Sequence, residues 1–221
     1  MSKTACIIAD LHGYGPTMRY LKHIYSKKCD YIIIAGDITS ADIGNSAEPV
    51  FNFLNSLNIP VLAVLGNSDR LEFLYEFSTF NHVKLMHFEI EYIENIAIIG
   101  VSGVQPQDHG AFYYISEAQF YHGLKKLYEQ AGRPKHFVIL SHAPPYGFAD
   151  LLKNGEHAGS KGLHKFDEEF NPDVHICGHV HEAAGIYRYK NTTIINPGMQ
   201  KPKYPVLTLQ IPEMIIGNIQ L

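Results

Sequence analysis

The chain has 221 residues, 46% of them hydrophobic, with 13 histidines, a formal charge of −4 and a pI near 6.3. That length and apolar content suit one domain with a full core. The mild acidity and the lack of a long basic run argue against electrostatic wrapping of nucleic acid, so no nucleic-acid partner is expected. No stretch reaches the ~18 consecutive apolar residues of a membrane span, and the apolar start of the chain is cut short by Asp10, unlike a signal peptide. Cys6, Cys29 and Cys177 lack C-x-x-C spacing and are odd in number, which predicts reduced thiols in a cytoplasmic protein.

Residues 4–9 read as a first strand, followed by a turn at Gly13, Gly15 and Pro16. Residues 17–28 read as a helix with Met18, Leu21, Ile24 and Tyr25 on one face. A buried strand over 31–35, a helix over 48–57 with Pro49 in its first turn, a strand over 61–65 and a short helix over 70–77 capped by Asp69 come next. This β-α-β-α-β rhythm predicts a parallel sheet with right-handed crossovers. Strands over 83–86, 88–93 and 96–101 follow without room for helices, with Glu94-Asn95 as a hairpin turn. Ser116 and Gln119 form a capping box for a helix over 116–130. A strand over 137–140 leads into a long loop over 142–160, and Ser160 opens a helix bearing Leu163, Phe166 and Phe170 on one face. A strand over 174–177 and four strand-like pieces, 186–189, 192–195, 206–211 and 214–219, complete the chain. The expected fold is α/β, a two-sheet sandwich flanked by helices. Its strands should be parallel near the N-terminus and antiparallel in the middle and tail.

Seven metal-ligand side chains fall where these apolar runs stop: Asp10, His12, Asp37, Asn67, His142, His179 and His181. In open α/β sheets, ligands collect just beyond the carboxyl ends of strands. Asp10 and His12, like His179 and His181, are two apart and so face one side of an extended segment. Asp37 follows a strand alone, where its two oxygens suit a bridge between two ions. Two carboxylates and a shared hydroxide would leave two divalent ions with residual positive charge, fit to hold a phosphate. Mixed nitrogen and oxygen donors without thiolate suit Mn, Fe, Co, Ni or Zn better than Mg or Ca. Each piece alone has a plainer account: D-x-H as a cap or surface pair, Gly-Asp and Gly-Asn-x-Asp as turns. Their ordered conjunction at strand ends is what points to metal.

The ordered set D-x-H, G-D, G-N-x-D, a single His and G-H-x-H resembles the signature of the calcineurin-like metallophosphoesterases. It is carried here as Asp10/His12, Gly36/Asp37, Gly66/Asn67/Asp69, His142 and Gly178/His179/His181. The motifs span most of the chain, whose length is similar to that of the small stand-alone prokaryotic members. The loop 141–163, with His157-Ala158-Gly159-Ser160-Lys161, resembles one subgroup, and so does the turn Asn196-Pro197-Gly198. The resemblance implies a four-layer α/β/β/α sandwich of two mixed sheets over residues 1–221 as one domain. It also implies two divalent metal ions, one on Asp10, His12, Asp37 and His181, the other on Asp37, Asn67, His142 and His179, and hydrolysis of a small phosphoester. The fold is shared with the scaffolding subunit Vps29 of retromer, and a scaffold or a nuclease stays open as an alternative, as does a homo-oligomer.

One position departs from the family pattern. Many members carry His after the Asn; here it is Ser68. A serine hydroxyl is a poor general acid near neutral pH, which favours phosphodiesters and activated esters over alkyl monoesters. His157 and His109, both in Gly-rich loops, are candidate substitutes, and Asp69 joins Asp37, Asn67 and His142 among the candidate catalytic residues. Ser160 and Lys161 open a helix and so form either an anion site or a plain cap.

Overall fold

A computed structural model of the chain describes residues 2–13, 15, 18, 22, 28–40, 47–106, 110–199 and 206–219. Its strands are β1 (Lys3–Ile8), β2 (Tyr31–Ala35), β3 (Val61–Val64), β4 (Val83–Leu85), β5 (Glu89–Ile93) and β6 (Ile96–Val101), then β7 (Phe137–Ser141), β8 (Val174–Ile176), β9 (Gly185–Tyr189), β10 (Thr192–Asn196), β11 (Val206–Ile211) and β12 (Ile215–Ile219). The helices whose full extent is described are α1 (Ala47–Asn55), α2 (Phe73–Glu76), α3 (Glu117–Gln130) and α4 (Lys161–Phe170). Two six-stranded sheets form, in the orders β12-β11-β1-β2-β3-β4 and β5-β6-β7-β8-β10-β9.

Period-two alternation sorts the strand side chains into three cores. In β1 and β2, Cys6, Ile8, Ile32 and Ile34 face a core with Phe51, Leu54, Phe73 and Phe77 of the α1 and α2 region. Their neighbours Ala5, Ile7, Ile33 and Ala35 face the opposite way, against Ile96, Ile98, Val138, Leu140 and Ile176 of the second sheet. In turn Ala97, Ile99, Phe137 and Ile139 pack on Phe120 and Leu124 of α3 and Leu163 and Phe166 of α4. The result is the four-layer α/β/β/α sandwich. Strands buried on both faces must be apolar at every position, which is why β2 reads YIIIA and β6 IAIIGV.

The caps of α3 and α4 follow the sequence. Ser116 Oγ accepts from Gln119 N at 3.2 Å while Gln119 Oε1 accepts from Ser116 N at 2.9 Å. Ser160 Oγ accepts from Leu163 N at 3.2 Å, and Glu117 Oε2 accepts from Gly162 N at 2.7 Å. A carboxylate of the protein itself therefore fills the start of α4, and Ser160 is a plain cap.

Three expectations are corrected. The middle and tail are not purely antiparallel: β6, β7, β8 and β10 are parallel neighbours, with α3 crossing from β6 to β7, α4 from β7 to β8, and the segment through β9 returning the chain to β10. Asp69 does not cap the short helix: α2 begins only after Glu72, whose side chain makes no cap bond, and Asp69 is bound elsewhere. Cys6 and Cys29 are paired as a disulfide with their Cα atoms 5.7 Å apart, so only Cys177 is a free thiol among the described residues. Their pairing, 23 residues apart, is set by the β1–β2 neighbourhood rather than by spacing, and the thiols no longer argue for a compartment. Met18 is buried, but the rest of the helix expected over 17–28 lies almost wholly outside the described residues. Among the described residues no helix is long and apolar enough to cross a membrane.

Candidate metal centre

The seven donors converge where the carboxyl ends of five parallel strands meet. Asp10 and His12 follow β1, Asp37 follows β2 and Asn67 follows β3 in one sheet; His142 follows β7, and His179 and His181 follow β8 in the other. Backbone bonds lock the loops together: Asp10 N to Gly36 O, His12 N to Asp37 O and Gly178 N to His142 O, each 3.0 Å. Across the sheets, His179 N donates to Asp10 Oδ1 at 3.1 Å. Asp10, His12, Asp37 and His179 hold left-handed φ values of 52°, 50°, 49° and 71°. Asp and His tolerate that region better than most residues, and its clustering here marks loops bent by their surroundings to aim side chains at one point.

The side chains lie within reach of shared ions. His12 Nε2 is 3.3 Å from His181 Nε2 and 3.7 Å from Asp37 Oδ2, and His181 Nε2 is 3.5 Å from Asp10 Oδ1. His142 Nε2 is 3.5 Å from Asp37 Oδ1 and 3.0 Å from Asn67 Oδ1, and His179 Nδ1 is 2.9 Å from the same Asn67 oxygen. Two sets of donor atoms, Asp10-His12-His181 and Asp10-Asp37-His142, each fall within 4.8 Å of one another. Asp10 is common to both sets, while Asp37 faces His12 through Oδ2 and His142 through Oδ1.

Three features fit these residues to divalent cations. Asp10 Oδ2 is buried and has no hydrogen-bond partner, a costly state for a carboxylate oxygen unless a cation takes it. His142 Nδ1 pairs with Ala35 O at 2.8 Å; with that proton fixed on Nδ1, a neutral ring turns its Nε2 lone pair toward the Asn67 carbonyl oxygen. An acceptor then faces an acceptor, and a metal between them resolves the conflict. Third, burial alone would push the Asp10 carboxyl up, but the His181 side chain, the nearby His142 and the His179 amide outweigh it and hold Asp10 below its ordinary value. Asp10 in turn holds the His181 imidazole above its ordinary value.

Gly66 is required by space: a Cβ there would overlap the Asp37 carboxylate and lie 2.8 Å from His142 Nε2. At Gly178 a Cβ would sit 2.8 Å from Ala35 O and 3.1 Å from Asp10 Oδ2. Both glycines let the two sheets' loops approach closely enough for the donors to meet.

The other candidates are placed differently. Asp69 is fully buried and accepts from Ile38 N (3.0 Å), Thr39 N (2.8 Å), Thr39 Oγ1 (2.8 Å) and Gly66 N (2.9 Å). It clamps the loop carrying Asp37 to the loop carrying Asn67, and its contacts make it a positioning residue rather than a reacting one. Burial, with the charge of Asp37, pushes its carboxyl up. Ser68 binds Asp37 twice, through its amide to Oδ1 (2.8 Å) and its hydroxyl to Oδ2 (3.0 Å). His157 pairs through Nδ1 with buried Asp150 at 2.8 Å and packs on the Tyr146 ring; these contacts orient it without touching any of the seven donors. His109 lies outside the described residues.

Sequence reasoning missed three supports. Asp150 Oδ2 also accepts from Gly147 N and Gly159 N, shaping the loop after His142. Asn196 Nδ2 donates to Val180 O at 2.9 Å and Gly178 O at 3.3 Å, holding the turn that carries His179. Its signal was the Asn-Pro-Gly turn. Behind His142, a buried chain runs from Asp167 through His175 (2.6 Å) to Ser141 (2.8 Å), whose hydroxyl donates to Ala143 O at 2.6 Å. Ser141 is wholly buried, so this triad braces the end of β7 and offers no nucleophile.

The family model for calcineurin-like phosphoesterases matches residues 4–183. An uncharacterized protein of Methanocaldococcus jannaschii is 34% identical over 199 residues, covering 86% of this chain and 85% of its own length. Among solved structures, a protein of Thermus thermophilus superposes with a TM-score of 0.76 at 17% identity, covering 100% of this chain and 99% of that one. A dimetal phosphatase from Danio rerio gives 0.72 at 13% identity, covering 99% and 96%. At those identities the two structures speak for the fold. The matched family and the donors gathered between the sheets agree: the chain belongs to the calcineurin-like phosphoesterases and is a metal-dependent phosphoester hydrolase.

Proposed function

We propose that this protein is a two-metal phosphodiesterase acting on a small or nucleotide-like phosphodiester. The observation that carries the reading is the set of unmet acceptors at one point: the partnerless Asp10 Oδ2 and the His142 nitrogen facing Asn67 Oδ1. One ion is assigned to Asp10, His12, Asp37 and His181, the other to Asp37, Asn67, His142 and His179. When bound, such a pair of ions polarises phosphoryl oxygens and lowers the pKa of a shared water. A count of two is supported by the Danio rerio protein of this fold, which is a dimetal phosphatase.

The chain's own residues then divide the work. Asp37 presents one oxygen to each group of donors, and Ser68 holds that carboxylate in place. Asn67 orients as a neutral oxygen donor beside His142 and His179. Ser68 cannot protonate a poor leaving group, so esters with good leaving groups and diesters are preferred. His157, with Asp150 on Nδ1, keeps Nε2 for contact with a substrate oxygen.

The test is a hydrolysis panel of aryl phosphomonoester, aryl phosphodiester and cyclic nucleotide with Mn, Ni, Zn and Mg, alongside bound-metal analysis. Asp37→Asn and His142→Ala should each lose turnover by about 1,000-fold or more while keeping a cooperative unfolding transition. Wild-type rates in either variant contradict the assigned roles. Bound metal without hydrolysis of any ester contradicts the enzyme reading.

A further inference from the structure

A cavity of about 630 Å³ opens beside the metal donors, lined by Lys153, His181, Glu182, Asn196, Met199 and Leu207 among others. His181 is both a donor of the metal centre and a wall of this space. Two other cavities of similar size, around Phe77 and Lys84 and around Phe88 and His122, include none of the seven donors. The volume lies in the range of small-molecule sites.

The wall has a consistent chemistry. Met199, Leu207 and Ala184 give it an apolar side, and Asn196 is buried and committed to the Gly178 and Val180 carbonyls. Lys153 reaches the wall from the loop after His142, where Leu151 bridges His157 and Leu152 N donates to Glu156 O at 2.9 Å. That hairpin docks on the residue next to His181, because Lys153 N donates to Glu182 Oε1 at 3.2 Å. Lys153 is thereby carried to the cavity, where its charge and the Glu182 carboxylate lie close enough to interact.

We propose that this cavity is the subsite for the organic arm of the phosphodiester whose phosphate lies on the metal donors. The proposal rests on the two-metal reading above and narrows the substrate class. The arm is a largely apolar group of up to nucleoside size, with a polar or anionic edge toward Lys153. A monoester carries only its leaving group, whereas a diester keeps a second organic group on phosphorus; the cavity selects diesters by holding that retained group.

The test compares p-nitrophenyl phosphodiesters carrying methyl, phenyl and thymidine arms, in the metal-loaded protein and in Ala184→Leu and Ala184→Phe. In the parent protein kcat/KM should rise at least about tenfold from the methyl to the thymidine arm, and that ratio should shrink stepwise with the size of the residue at 184. Lys153→Ala should raise KM for the thymidine ester more than for the methyl ester. A readout independent of turnover is the NMR shift of the Ala184 and Met199 methyl groups on adding free thymidine. An arm ratio unchanged in Ala184→Phe, with no methyl shift, overturns the subsite. Hydrolysis of none of the esters overturns the two-metal reading instead, and the methyl shifts then decide the cavity by themselves.

Discussion

Asp69 shows how much of the centre depends on a residue that touches no substrate. Its carboxylate takes three backbone amides and one hydroxyl, so Asp69→Asn would turn an NH2 against backbone N–H groups. Metal affinity should fall by about 10–100-fold, read by competition with a chromophoric chelator; unchanged affinity contradicts the clamp. Tyr113 gives a second residue-scale outcome. Burial, then the charge of Asp69 and Asp37, pushes its phenol well above the ordinary range. Above about pH 10 the unfolded chain then binds fewer protons than the native one, so stability falls as pH rises. Tyr113→Phe should flatten that fall by about 1.4 kcal/mol per pH unit; identical alkaline denaturation profiles contradict it. Asp10, Asp37 and His142 were visible in the sequence because each interrupts an apolar run. Asp69 looked like a helix cap, since its real partners, Ile38 and Thr39, lie 30 or so residues away.

At the scale of elements, strands and capped helices were legible wherever both the period and the punctuation were present. The α3 capping box and the all-apolar β2 and β6 are examples. Strand direction in the second sheet was not, because hydrophobic runs do not encode it. It follows from α3 and α4 serving as crossovers, a matter of which strands a helix joins. The Cys6–Cys29 pair was invisible for the same reason: it needs β1 beside β2, not a spacing. Phe166 is the measure of how firmly α4 is bound to its sheet. It is wholly buried against Phe137 and Phe170, and Phe166→Ala should cost about 3–5 kcal/mol in denaturant unfolding. A loss under about 1 kcal/mol would mean that α4 does not pack on the sheet this way.

Across the whole molecule, the donors come from both sheets, so the centre exists only when the sandwich is closed. The inter-sheet core of Ile7, Ile33, Val64, Ile98 and Leu140 sits directly beneath it. Folding therefore supplies the alignment that catalysis by two ions requires. The most direct measurement is anomalous X-ray diffraction from crystals of the protein loaded with manganese. Two peaks roughly 3.5–4 Å apart are predicted, as in paired-ion hydrolase sites, with Asp37 between them. One peak should lie against Asp10, His12 and His181, the other against Asn67, His142 and His179. A single ion, or ions bound away from Asp37, would contradict the account.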